Sequence, residues 1–383
     1  MNLDVLKTIS LNFIRVSYKT CWTFIQLQDQ DGQIGEGEAS LIGREELLQE
    51  AAKRIVPKAL REARPSDPSS FAQQNPPSDI VESSIVSAID QALWSLYAQA
   101  ANLSLAEAIG PYRESIPVYA NINRRTDDRS PNGFANSTRA AIESGHIAFK
   151  IAPFDEVSTR ICAQGDGERA MQAGLDRIAA VREVIGPNKR LMVDCHWRFD
   201  EKTARKLNHA VAKLGVYWVE CPLPEVESNI PALARLRYQC NEMGMHHAGL
   251  ETNIGWDSFQ PYCEGGAYDV VMPDIKYIGG IHELKRTAEE SELLGIQVSP
   301  HNPSGPIAHA ASLQISRVLP DFDMLELQFD ESHLFDQLVG TPFLPVHSGL
   351  TKTPKGQGLG VNLVDSIMQQ NFECQTLEWG AED

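Results

Sequence analysis

Several features are scarce in this 383-residue sequence. No apolar run approaches the ~20 residues that a helix needs to cross a bilayer, so no membrane span is expected. The opening MNLDVLKTIS lacks the basic-then-apolar layout of a secretory signal, and a cytoplasmic location is expected. Positive charge is short: 34 Lys and Arg stand against 51 Asp and Glu, a net charge of −17. That balance argues against nucleic acid and anionic membrane surfaces as partners. Small anionic substrates stay open, because a local cluster of metal, Lys and Arg outweighs a distant net charge. Cysteine occurs seven times, an odd number with no CxxC spacing. Reduced thiols fit better than a disulfide frame, and no structural zinc site is expected. No GxGxxG follows an early strand, which removes the main signature of an open dinucleotide-binding sheet.

The composition itself, 42% apolar and 22% charged, is that of a globular protein able to bury a sizeable core. The length suggests two domains, or one large barrel with an attachment. Residues 5–27 read as two strands with a polar link at 17–20, followed by the turn DQDGQ and the segment IGEGEAS, an antiparallel meander. From residue 45 to 109 the pattern is helical, broken by a Pro- and Ser-rich loop at 63–79. The stretch IVSAIDQALWSLYA repeats apolar residues at three- and four-residue spacing, with Asp90 as its one acid. From Ile116 the character changes. Eight short apolar runs, at 117–122, 147–152, 190–196, 216–222, 246–251, 269–276, 296–301 and 324–329, alternate with amphipathic helical stretches. Strands separated by helical crossovers call for parallel βαβ units, and the repeat fits a closed barrel.

Ionisable residues gather at the C-terminal ends of these runs, where the side chains of a barrel converge. In order they are Lys150, Asp194 with His196, Glu220, Glu251, Asp274 with Lys276, His301 and Glu326. Any one alone could be a satisfied ion pair; seven consecutive strands are hard to explain that way. Read as one continuous strand, LMVDCHWRFD turns Asp194 and His196 to the same face and Cys195 to the other. Asp194, Glu220 and Glu251 end three successive strands and would repel strongly in a low-dielectric mouth. A divalent cation is the simplest compensation, and all-oxygen ligands favour Mg²⁺ or Mn²⁺ over zinc. Asp274 and His301 end the next two strands, so the carboxylate could orient the imidazole and raise its basicity as a general base.

With these residues in place, the chain resembles the enolase superfamily in its mandelate racemase-like branch. IGEGEAS and AIDQALWSL resemble its capping domain; Asp194, Glu220 and Glu251 match its metal ligands. DIKYIGGI and VSPHNPSGPIA match the His–Asp dyad, LELQF the acid of the eighth strand, and GQGLGVNL the segment that returns to the cap. The resemblance implies a (β/α)7β TIM-like barrel at 116–330, an α+β cap at 1–115 and a C-terminal segment at 331–383 that rejoins the cap. It also implies one Mg²⁺ per subunit, abstraction of the proton α to a carboxylate, and a homo-oligomer.

One departure narrows the chemistry. Relatives often carry Lys-x-Lys on the second strand, whereas here Lys150 is followed by Ile151 and Ala152. The base on one face of the substrate is therefore missing, and elimination is favoured over racemisation. Asp194-x-His196 resembles the arrangement in acid-sugar dehydratases of the branch, where the histidine protonates the departing hydroxyl. A hydro-lyase that makes a 2-keto-3-deoxy acid from a sugar acid is expected. His301 would take the C2 proton, Lys150 would neutralise the substrate carboxylate, and Glu326 would donate to the same group if protonated. Tyr18, Lys19, Asn121, Arg124 and Lys276 are candidate substrate contacts; Arg124 and Arg125 read equally well as a solvated loop pair. A racemase or epimerase of a 2-hydroxy acid, or a non-catalytic carboxylate-binding homologue, are the alternatives.

Overall fold

The computed structural model describes residues 5–370 and 375–380. Cys374 and the first four residues of the opening segment lie outside them. Two antiparallel strands, β1 (Leu6–Arg15) and β2 (Cys21–Asp29), pair with Leu11 opposite Ile25, and β3 (Ile34–Glu38) adds to the far side of β2. The link at 16–20 is closed by the Val16 amide donating to the Thr20 carbonyl at 3.0 Å. In the second turn Asp29 Oδ1 accepts from the amides of Asp31 and Gln33. The helix Ile80–Ala100 lies across this sheet. It can do so because β3 carries glycine at alternate positions. A Cβ on Gly35 or Gly37 would sit 2.2 or 1.9 Å from the carbonyl oxygens of Ala92 and Ala88.

The barrel strands are β4 (Ile116–Asn121), β5 (Ala148–Ile151), β6 (Arg190–Asp194), β7 (Trp218–Glu220), β8 (His246–Gly249), β9 (Val270–Val271), β10 (Gln297–Val298) and β11 (Leu325–Gln328). They pair in parallel in the order β10-β9-β8-β7-β6-β5-β4-β11, and a parallel bridge from Val298 to Phe322 links the two ends. A short strand β12 (Leu350–Thr351) adds antiparallel to β4. The final strand β13 (Gln375–Gly380) returns to the first sheet and pairs antiparallel with β1. The expected eight strands are all present. Those of the sixth and seventh runs are shorter than the apolar patterns suggested, because both chains leave the ladder at prolines, Pro273 and Pro300.

Alternation decides what the barrel holds. Tyr119, Met192, Trp218, Ala248, Val270, Met272 and Met324 form one buried inner cluster. Their neighbours Leu191, Val193, Val219 and Val271 belong to the larger outer core beneath the helices. The inner cluster is an apolar floor, and two residues beyond Met192 and Trp218 stand Asp194 and Glu220.

Candidate active site

Asp194 and Glu220 end adjacent strands in direct register. Glu251 reaches the same level by a different route. Strict alternation from the inward Ala248 would turn Leu250 inward, but Leu250 takes φ +72° and joins the outer core, so that Glu251 comes to the site. Oxygens of all three carboxylates lie within 4.8 Å of one another, all buried. Burial pushes the Glu220 carboxyl up to about 7 despite the Lys150 ammonium beside it. Burial, with Asp194 and Glu220 adding to it, pushes Glu251 well above its usual range. Glu251 Oε2 has no hydrogen-bond partner although it is buried. Three oxygen donors, mutual repulsion and an orphaned lone pair together fit a hard divalent cation.

His301 faces this triad from the loop after β10. Its Nδ1 donates to Asp274 Oδ2 at 2.8 Å, and its Nε2 lies 3.4 Å from Glu251 Oε2. Burial holds the imidazole below its ordinary pKa, so it is neutral, with the Nε2 lone pair turned into the site. On Asp274, burial acts to raise the pKa, but Lys276 and His301 outweigh it and keep the carboxylate ionised. Lys276 Nζ donates to Asp274 Oδ2 at 2.7 Å and to Ser304 Oγ at 2.5 Å. It is therefore tied to the dyad on the side of His301.

Lys150 and Glu326 complete the interior. Lys150 Nζ bridges Glu220 Oε1 (2.7 Å) and Glu326 Oε2 (3.1 Å). Asn121 Nδ2 donates to Glu326 Oε1 at 2.6 Å, and the Tyr119 hydroxyl to Oε2 at 3.2 Å. Burial works to raise Glu326, but the Lys150 ammonium and the Asn121 amide bring it below its usual value. The proton-donor role expected of Glu326 requires a protonated acid, and here its oxygens accept from Lys150, Asn121 and Tyr119.

His196 also differs from the alternation argument. The strand stops at Asp194, and His196 and Trp197 follow with φ +46° and +58°. This left-handed pair folds the imidazole back, so that Nε2 meets Asp194 Oδ2 at 2.7 Å while the His196 amide donates to Oδ1. The neighbouring Asp194 charge raises the His196 pKa. Burial acts to raise Asp194, yet His196 and Lys150 hold it down at about 2.

The distal candidates divide. Tyr18 is 80% exposed, with Lys19 over its ring, and neither touches the interior cluster. Arg124 pairs with Glu331 at 3.0 Å and Arg125 with Asp330, both acids lying just beyond β11. The Arg124 pair is sheltered, Glu331 being 8% exposed, whereas Asp330 of the Arg125 pair is 57% exposed at the surface. Sequence reasoning missed the acids of the cap that hold the site's loops. Glu38 accepts from the amides of Gly305 and Ala308, at the start of the helix Pro306–Ser316 that follows His301. Asp90 accepts from the Ile281 amide at the start of the helix Ile281–Leu293. An acid inside an apolar helical run, as Asp90 is, was the available signal.

Comparison with known proteins agrees with this geometry. Residues 133–367 match the enolase C-terminal domain-like family, and residues 8–110 the N-terminal domain of the mandelate racemase / muconate lactonizing enzymes. A D-galactonate dehydratase of Variovorax paradoxus is 26% identical over 370 residues, 94% of this chain and 92% of the relative. A D-gluconate dehydratase of Thermoproteus tenax is 29% identical over 287 residues, 74% of this chain but only 55% of that longer protein. The structure of an enolase superfamily member from Salmonella Typhimurium superposes with a TM-score of 0.85 at 21% identity, covering 98% of this chain and 99% of the other. With both halves matched and the carboxylate triad in one barrel mouth, the chain belongs to the mandelate racemase / muconate lactonizing enzyme family of the enolase superfamily.

Proposed function

We propose that this chain is a Mg²⁺-dependent dehydratase that converts a sugar acid to its 2-keto-3-deoxy product. The observation that carries the reading is the placement of His301, its Nδ1 held by Asp274 and its Nε2 turned toward the acidic triad. Asp194, Glu220 and Glu251 would hold the ion, which when bound supplies stabilisation for the charge that develops on the substrate carboxylate. His301 Nε2 accepts the C2 proton, and Asp274 stabilises the imidazolium that results. His196 gives a proton to the C3 hydroxyl as its bond to carbon breaks, and water leaves. The enol that remains tautomerises to the 2-keto acid. Lys150 and Asn121 keep Glu326 fixed and charged beside the reacting end.

The names of the relatives support the same class, since both that are described above are sugar-acid dehydratases. Racemisation needs an acid or base on the face opposite His301. Lys276 is bound to Asp274 and Ser304 on the His301 side, and Ala152 stands where a second lysine would. That leaves no base of this kind on the second strand.

The test is a screen of sugar acids with Mg²⁺, detecting 2-keto-3-deoxy products with semicarbazide. His301→Asn should lower kcat roughly 10²–10⁴-fold while metal affinity stays near native. Full activity in that variant would refute the assignment. His196→Asn should suppress elimination more than C2 exchange with D₂O; equal loss of both would remove His196 as the acid for the leaving group. Deuterium uptake without dehydration in the native protein would point to an epimerase instead.

A further inference from the structure

We infer that Glu225 is a positioning residue for the cation site, a single carboxylate that fixes the spacing of Asp194, Glu220 and Glu251. This rests on the metal reading above and extends it to what sets the geometry of the triad. Each ligand is joined to a left-handed corner of the backbone. His196 and Trp197 (φ +46° and +58°) follow Asp194, Cys221 (φ +46°) follows Glu220, and Leu250 (φ +72°) precedes Glu251. These are four of the eight non-glycine residues that take positive φ among the described residues. Side chains of this kind rarely adopt such backbone, which persists only where the surroundings over-determine it.

Glu225, in the loop after β7, touches all three corners. Its Oε2 accepts from Trp197 Nε1 at 2.9 Å. Its Oε1 accepts from the Leu250 amide at 2.7 Å, from the Tyr268 hydroxyl at 2.8 Å and from Cys221 Sγ at 3.7 Å. The approach depends on a glycine: a Cβ on Gly249 would fall 2.4 Å from Oε1 and 2.6 Å from Tyr268 Cζ. The corners are laced through the main chain as well. The Trp197 amide donates to the Cys221 carbonyl at 2.7 Å, and the Cys221 amide to the Ala248 carbonyl at 3.0 Å. An indole N–H and a backbone amide only donate, so each oxygen of residue 225 has to accept. A carboxylate meets that demand and a carboxamide does not. Glu225 reaches the three ligands through their neighbours, and so governs where their oxygens stand rather than how many there are.

Calorimetric titration with Mg²⁺ alone and with Ca²⁺ alone, in the absence of substrate, tests this. Mg²⁺ demands near-octahedral geometry, whereas the larger Ca²⁺ tolerates irregular spacing. Glu225→Gln turns an amide N–H against either Trp197 Nε1 or the Leu250 amide and so spreads the corners. Mg²⁺ affinity should fall by about 10–100-fold, and Ca²⁺ affinity by less, so the Mg²⁺/Ca²⁺ affinity ratio falls. A merely structural role would weaken both ions alike. Trp197→Phe removes the opposed donor, and adding it to Glu225→Gln should restore part of the lost Mg²⁺ affinity. An unmoved ratio in Glu225→Gln, or a double variant weaker than that single one, overturns the inference. If Glu225→Gln does not fold, Trp197→Phe decides alone: it should lower the ratio by a smaller factor, and an unchanged ratio overturns the inference. Both results leave the metal reading standing. A native protein that binds neither ion refutes the metal reading, and the inference with it.

Discussion

At Glu220 burial drives the carboxyl from 4.5 up to about 7, and Glu251 is driven further in the same direction. An acid whose folded pKa is raised lends stability that is complete below about 4.5 and is lost as pH climbs through about 7. A divalent cation substitutes for those protons, so its benefit has the opposite pH dependence. Mg²⁺ should raise Tm little at pH 5 and clearly at pH 7.5, the gain reaching roughly 2.7 kcal/mol at a hundredfold excess over Kd. Thermal shift at the two pH values checks this, and an equal gain at both would refute proton–metal competition at the triad. Asp194, held at about 2, loses its contribution only in strong acid and does not confuse the window. The convergence of these side chains was legible in the sequence because strand ends in a barrel share one rim. What could not be read were departures from alternation. The left-handed Leu250 and His196 place Glu251 and the imidazole by backbone turns that no period-two pattern contains. Nor does spacing say which charges pair, so the mutual engagement of Lys150, Glu220 and Glu326 emerged only in three dimensions.

The elements that follow the dyad strands are capped from outside the barrel. Asp90 is buried within the helix Ile80–Ala100, and burial pushes its carboxyl well above the usual range. It accepts from the Ile281 amide at 2.6 Å. Asp90→Asn keeps the acceptor and should change stability by no more than about 0.5 kcal/mol. Asp90→Ala strands the amide and should cost about 1–2 kcal/mol. Gly280 takes φ +103°, and a Cβ there would fall 2.3 Å from Asp90 Oδ1. Gly280→Ala should therefore cost more than either Asp90 variant. Urea unfolding of the three proteins gives the order, and a Gly280→Ala variant as stable as Asp90→Asn would show that the close approach relaxes freely. At this scale the helices were the most legible features: the amphipathic stretches between the apolar runs include Gln172–Ile185, Glu201–Ala212 and Ile281–Leu293. The dyad strands β9 and β10 were the least, since each is two residues long and the prolines after them end the ladder.

Across the whole molecule, the sheet of the cap is assembled from the two extremes of the described chain. Leu11 of β1 faces Leu377 of β13, with the barrel lying between them in sequence. Leu377 and Trp379 pack against the apolar core of the cap. A chain stopped at residue 370 should expose the edge of β1 and associate, visible as a shift to high mass in size-exclusion chromatography. A monodisperse, native-like truncation would show that β1 protects its own edge. The same pairing sets a schedule for biosynthesis. At ~5–20 residues per second, a ribosome delivers β13 tens of seconds after β1. For that interval the growing chain carries an incomplete sheet whose edge has no neighbour, while the entire barrel folds beside it. The loops that Glu38 and Asp90 hold can be set early, but the outer wall of the cap closes only once β13 has been delivered.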